Sequence, residues 1–329
     1  MIVPSNHRSM KQVLRIAIIG TGAVGRALGS CLHASGHQIV FVHRPGSASE
    51  SVGRAGLKRT GIFGEARIPR EDLIVTSSLA DIEDPFFDYV LVCTKTTSNQ
   101  DVRNTLAPLW PDLGGDTWLI LCQNGWGNSE FFAEAIPENR IAHARIITGF
   151  RSPDPHTVEV TVHANPIQIG SLFSSDTRPL TPLCRAIELG GIPCNPSREI
   201  EAELWSKLLY NCLLNPLGAL TGQKYGALGE SEKTRSVMNE IAREIFAVLQ
   251  ANASRTFWEN ATDFLEYFYT TALPPTAEHE SSMLQDIRAH RKTEIDSLSG
   301  AVVRLGRTHR IDTPVNQAMV TLIHAAEAE

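Results

Sequence analysis

No stretch of this 329-residue chain reaches the roughly 18–20 consecutive apolar residues that a bilayer-spanning helix needs, which argues against a membrane protein. The opening MIVPSNHRSMKQ also lacks the apolar core of a secretion signal, and residues 1–13 are read as a flexible leader. Neither sign of charge dominates. The 30 basic and 36 acidic residues are mixed along the chain for a net charge of −6, so the basic footprint of a nucleic-acid binder is missing. Six cysteines (Cys31, Cys93, Cys122, Cys184, Cys194 and Cys212) form no CxxC pair and no Cys/His cluster. That excludes a zinc site by spacing and points to reduced core thiols in a cytoplasmic protein. No heptad array or repeat period supports a scaffold role. What the chain does have is length and apolar content, 42% hydrophobic against 20% charged. That suffices for two cores, with small molecules as the expected partners.

Residues 14–44, LRIAIIGTGAVGRALGSCLHASGHQIVFVHR, read as strand, glycine-rich turn, helix and second strand. Gly20 permits the tight turn, Gly22 admits a pyrophosphate close to the backbone, and Gly25 lets the helix pack on the sheet. The amides of the helix start then face the phosphates. At the end of the second strand, where an NAD enzyme carries Asp or Glu, the chain has His43 and Arg44. A guanidinium matches a 2′-phosphate, so NADP(H) is expected over NAD(H). Strands at 88–93 and 117–122, with a helix over 99–109 between them, continue a parallel sheet. Its ligand-facing carboxyl ends carry Lys95 and, at 123–125, Gln-Asn-Gly. The alternation from Thr157 to Gly170 predicts a β-hairpin, followed by a helix over 179–189 and a short strand near 192–194. A turn at Asn195–Arg198 closes the first domain, residues 1–198; residues 199–329 form the second.

The second domain is mainly helical. ELWSKLLYNCLLNPLGAL, from Glu203, sets Lys207, Asn211 and Asn215 four residues apart among leucines. The three share a slowly drifting stripe on a helix over 199–215 that bends or stops at Pro216. Such a stripe suits a ligand wall, although a solvated helix face is its ordinary alternative. SSMLQDIRAHRKTEIDSLSGAVVRLG, from Ser281, reads as one further helix with Ile295, Leu298, Val302 and Leu305 as its packing seam. Glu294 and Ser282 lie off the seam, and Asp286 follows Ser282 by one turn. A glutamate beside such a seam is ordinarily just solvated.

On these segments the chain resembles the ketopantoate reductase family, the NADPH-dependent 2-dehydropantoate 2-reductases, over nearly its whole length after residue 13. The motifs are GTGAVG (20–25), VCTK (92–95), QNGWG (123–127), the lysine segment from Glu203, SSMLQDIRAHRKTEID (281–296) and GRTHRIDTPVN (306–316). The resemblance implies an α/β fold, a Rossmann-like dinucleotide-binding domain followed by a mainly helical one. It implies reduction of ketopantoate to pantoate on the route to pantothenate, with Lys207 as general acid and Glu294 orienting the substrate. Cofactor contacts fall on Gly20, Thr21, Gly22, Ala23, Val24, Gly25 and Arg44. Asn211, Asn215 and Ser282 contact the substrate, and Lys95 and Asn124 bridge cofactor and substrate. Lysine fits the role, because desolvation draws its pKa toward neutrality and an ammonium both stabilises and protonates the developing alkoxide. Departures from the family pattern, among them Ser98, Gln123 and His279, cluster near the expected substrate side. They keep a paralogue acting on another 2-oxo acid as a rival. A non-catalytic NADP(H) sensor would need neither Lys207 nor Glu294. Oligomeric state is left open, with a homodimer among the states a helical second domain allows.

Overall fold

The computed structural model describes residues 13–43 and 52–328. The leader, Val13 apart, and Arg44 lie outside them. Twelve strands occur in chain order among the described residues: β1 (Arg15–Ile19), β2 (Gln38–Val42), β3 (Leu57–Gly61), β4 (Ala66–Ile68), β5 (Ile74–Thr76), β6 (Tyr89–Val92), β7 (Trp118–Leu121), β8 (Ile141–Arg145), β9 (Thr148–Asp154), β10 (Thr157–His163), β11 (Ile167–Gly170) and β12 (Cys194–Pro196). Eight make one sheet in the order β12-β11-β8-β7-β6-β1-β2-β5. All its neighbours are parallel except β8 and β11. The central strands are continuous apolar runs, as expected where helices cover both faces. From β1 the chain steps to β2 on one side and later to β6 on the other. A crevice therefore opens at the carboxyl ends of β1 and β6.

Two sequence expectations, one of a helix and one of a hairpin, resolve differently. The helix over Asn99–Leu109 forms with the expected bounds. The hairpin does not: β10 pairs with β9 and β3 in a separate four-stranded sheet, while β11 leaves it to pair with β8 and β12. The hairpin is β9–β10, and the alternation from Thr157 to Gly170 spans two sheets.

After β12 the chain is helical. The helix Ile200–Thr221 runs through Pro216, so of the expected bend or stop there the stop does not occur. A proline inside a helix leaves the carbonyl four residues back, that of Cys212, without its helical donor. Dense packing outweighs that loss: Trp205, Leu208, Leu209, Cys212, Leu213, Leu214 and Leu217 are buried in one core with the helix Glu232–Ala251 and the last two helices, Ser299–His309 and Pro314–Glu327. The predicted single helix from Ser281 is two, Ser282–Arg288 and Ser299–His309. Between them His290 takes a left-handed φ of 48°, which breaks the helical path. Among the described residues no helix is long and apolar enough to cross a membrane.

Candidate active site

The glycine turn after β1 is built as its spacing predicts. Gly20 has a φ of +101°, and a Cβ there would lie 2.8 Å from the Thr94 nitrogen at the end of β6. A Cβ on Gly25 would lie 2.1 Å from the Gly20 carbonyl oxygen. Gly22 differs, because apart from its own chain neighbours nothing lies within 4 Å of where its Cβ would be. It caps the helix Ala23–Ala34 and lines, with Gly20 and Thr21, a cavity of about 740 Å³. Protein packing therefore explains two of the glycines, and open space facing a ligand explains the third. Lys95, Thr94, Ser98 and His43 line the same cavity, as do Arg291 and Lys292 from the helical half. The cavity suits a dinucleotide pyrophosphate: a helix N-terminus of free amides at one wall and cations at the other.

The halves meet where β6 and β7 end. Glu294, in the gap between the helices Ser282–Arg288 and Ser299–His309, accepts from the Thr96 backbone N–H at 3.1 Å and from Asn124 Nδ2 at 3.2 Å. Its neighbour Ser297 shares a hydroxyl contact with Thr96 at 3.1 Å and accepts from Trp126 N–H at 2.9 Å. Lys95 pairs with Asp286 at 2.5 Å and donates to the Lys292 carbonyl at 3.5 Å. Asp286, 8% exposed at its side chain, also accepts from Arg291 Nη2 at 3.0 Å. The sequence reading placed Asp286 beside Ser282 and gave it no role. Its partner is 191 residues away in the chain, so no local pattern could show the pair.

Lys207 is partly buried on the helix Ile200–Thr221. Loss of water pulls its pKa down to about 8; Glu294 works against that fall, Arg145 adds to it, and the Cys122 thiol opposes it. Two residues earlier Trp205 stacks on Trp126 with ring centroids 4.3 Å apart, which ties the helix to the loop carrying Asn124. Lys207 is not part of the cavity wall; Glu294, whose charge acts on it, binds Thr96 next to the cavity-lining Lys95. Asn211 follows one turn on, partly buried. Asn215 is 5% exposed, and its Oδ1 accepts from the Tyr225 hydroxyl at 2.8 Å. Ser282 is exposed at the start of its helix, whereas Ser281, which the sequence reading passed over, is fully buried and caps that helix by accepting from Leu284 N–H at 2.9 Å. Gln123, one of the departures expected on the substrate side, is 4% exposed and donates to the Thr94 carbonyl at 3.0 Å and Asn99 Oδ1 at 2.7 Å. It braces the loop after β6. The six cysteines are free thiols, all buried but Cys93. Burial pushes Cys31 up to about 11 and Cys212 up to about 12. Among the described residues no group of His, Cys, Asp and Glu is placed to hold a metal.

Comparison with known proteins bears directly on this arrangement. Residues 16–173 match the family model described as ketopantoate reductase PanE/ApbA, and residues 199–327 match the model of its C-terminal domain. The chain is 34% identical to a 2-dehydropantoate 2-reductase of Aquifex aeolicus over 318 residues, covering 96% of this chain and 97% of that protein. It superposes on the crystal structure of a 2-dehydropantoate 2-reductase from Geobacter metallireducens with a TM-score of 0.83 at 26% identity, covering 95% of this chain and 100% of the other. A D-mandelate dehydrogenase bound to NADH and anilino(oxo)acetate has a TM-score of 0.82 at 21% identity over 96% and 99% of the two chains, a likeness of fold alone. With both halves matched in order, the chain belongs to the ketopantoate reductase family.

Proposed function

We propose that Lys207 is the proton donor in an NADPH-dependent reduction of ketopantoate, with residues 1–198 holding the cofactor and residues 199–329 presenting the acid. Family membership makes the protein an oxidoreductase of the 2-dehydropantoate 2-reductase type, converting ketopantoate to pantoate for pantothenate synthesis. The cofactor is a nicotinamide dinucleotide; its phosphorylated form is supported by Arg44, which follows β2 where a guanidinium meets a 2′-phosphate. When bound, that cofactor supplies the hydride. Lys207 then stabilises the charge growing on the ketone oxygen and passes it a proton. Glu294 holds Thr96 and Asn124 in place, and its charge favours the protonated amine. Asn211 and Ser282 offer uncharged groups to the substrate, and Lys95 stands between it and the phosphates. The observation carrying the assignment is a partly buried lysine on the helix that Trp205 stacks against Trp126, beside the seam where Glu294 binds Thr96 and Asn124, with its amine desolvated and acted on by the Glu294 charge. Six unpaired thiols support a cytoplasmic site.

The test is Lys207→Ala assayed with NADPH and NADH over a panel of 2-oxo acids. Turnover should fall by about two to four decades while NADPH still binds. Unchanged turnover removes Lys207 from the mechanism. In the parent enzyme, another acid outranking ketopantoate more than about tenfold in kcat/KM would name a different substrate.

A further inference from the structure

Glu203 stands one turn before Lys207, in the order that favours an ion pair along a helix. The structure shows another pairing. Glu203 Oε2 is bound by Nη2 of Arg145, which closes β8 of the sheet, and the two side chains are 17% and 6% exposed. The charges that bear on Glu203 are those of Arg145 and Glu199, and burial raises its pKa against the pull of Arg145. The charged or titratable groups that bear on Lys207 are Glu294, from the gap between the helices Ser282–Arg288 and Ser299–His309, Arg145 from β8 and the Cys122 thiol following β7. The carboxylate nearest in sequence is thus turned to the sheet, and the guanidinium that holds it acts on the amine as a like charge.

We propose that Arg145 is a positioning residue for the proton transfer: it diverts Glu203 from Lys207 and leaves Glu294 as the carboxylate acting on the amine. The proposal rests on Lys207 being the acid. An ammonium freed of its intrahelical partner, with a like charge nearby, gives up its proton more readily. The acid must be protonated to act, so the reductive kcat/KM falls as pH rises through its pKa. Removing Arg145 frees Glu203 and deletes a positive charge, which moves that alkaline limb to higher pH. Removing the Glu203 charge leaves Arg145 uncompensated and moves it lower.

The experiment is the pH profile of ketopantoate reduction in Glu203→Gln, Arg145→Met, Arg145→Lys and the double variant Arg145→Met/Glu203→Gln, with NADPH binding as the check on folding. The limb should fall by about half a pH unit or more in Glu203→Gln and rise by a like amount in Arg145→Met, equivalent to about threefold in kcat/KM beyond the limb. It should stay near the parent position in Arg145→Lys and return toward it in the double variant. Glu203→Gln keeps the shape and an acceptor for Arg145, so a fold-destroying Arg145→Met leaves the proposal exposed to test. Activity lowered equally at every pH, with the limb unmoved in Glu203→Gln, means a structural brace and overturns it. Lys207→Ala separates the two readings: an inactive Lys207→Ala with an unmoved limb sinks the role of Arg145 alone, whereas an active one sinks both.

Discussion

A lysine among leucines is a liability to the folded state, and at position 207 the cost has a pH signature. Its ordinary pKa of 10.5 falls to about 8 in the protein, mainly by desolvation. Between those values the unfolded chain binds more protons than the folded one, so stability rises with pH across that window and the penalty is complete below about 8. Lys207→Met keeps the length and apolar stem and removes the charge. It should stabilise the protein at pH 7 by roughly 1–3 kcal/mol, with the gain shrinking as pH rises toward 10.5. Thermal unfolding of parent and variant at several pH values measures this. A variant less stable than the parent at pH 7 would mean that attraction to Glu294 outweighs the lost hydration. The stripe carrying this residue was legible in the sequence because four-residue spacing is a property of the helix itself. The engagement of Asn215 with Tyr225 was not, since that partner lies on the next helix.

At the scale of elements, Glu294 owes its place to a helix that fails to continue. The apolar seam from Ile295 to Leu305 keeps helical spacing, and no proline or glycine interrupts Ser281 to Ser299, so the sequence reads as one helix. The interruption at His290 comes from tertiary contacts: Glu294 turns to Thr96 and Asn124, and Ser297 to Trp126. The central strands β1, β2, β6 and β7 of the main sheet were legible because their apolar runs have turn signals at both ends, whereas Ile74–Thr76 and Ile141–Arg145 were not expected. The partner of the strand Thr157–His163 was not, because period-two alternation looks alike in either sheet. Gly125 is where the interrupted helix presses on the sheet half. Its φ is +90°, and a Cβ there would lie 2.3 Å from the Ser297 carbonyl oxygen. Gly125→Ala should therefore cost about 1–3 kcal/mol of stability through backbone strain and lower kcat/KM by displacing Asn124 from Glu294. Melting curves and steady-state kinetics on the same preparation test it. An alanine variant with parental melting and parental kcat/KM would show that the close approach is dispensable.

Across the whole molecule, a chain of net charge −6 gathers Lys95, Arg291 and Lys292 in the lining of one cavity. Asp286 is the buried carboxylate that neutralises two of them, Lys95 from the sheet half and Arg291 from the helical half. Its loss would leave the halves still joined by Thr96 and Asn124 to Glu294 and by Trp126 to Ser297. The pair with Lys95, whose side chain is 37% exposed, adds only modestly to that docking. The effect on the potential is larger, because a cleft with low-dielectric walls focuses the field of uncompensated cations on an anionic ligand. Asp286→Asn should therefore tighten NADPH binding at low salt by about three- to tenfold, with a gain that fades as ionic strength rises. Fluorescence titrations over a salt series read both parts of that expectation. Weaker binding at every salt concentration would assign Asp286 the opposite task, holding the two halves at the spacing the cofactor requires, and the cations lining the cavity would then matter for closure more than for attraction.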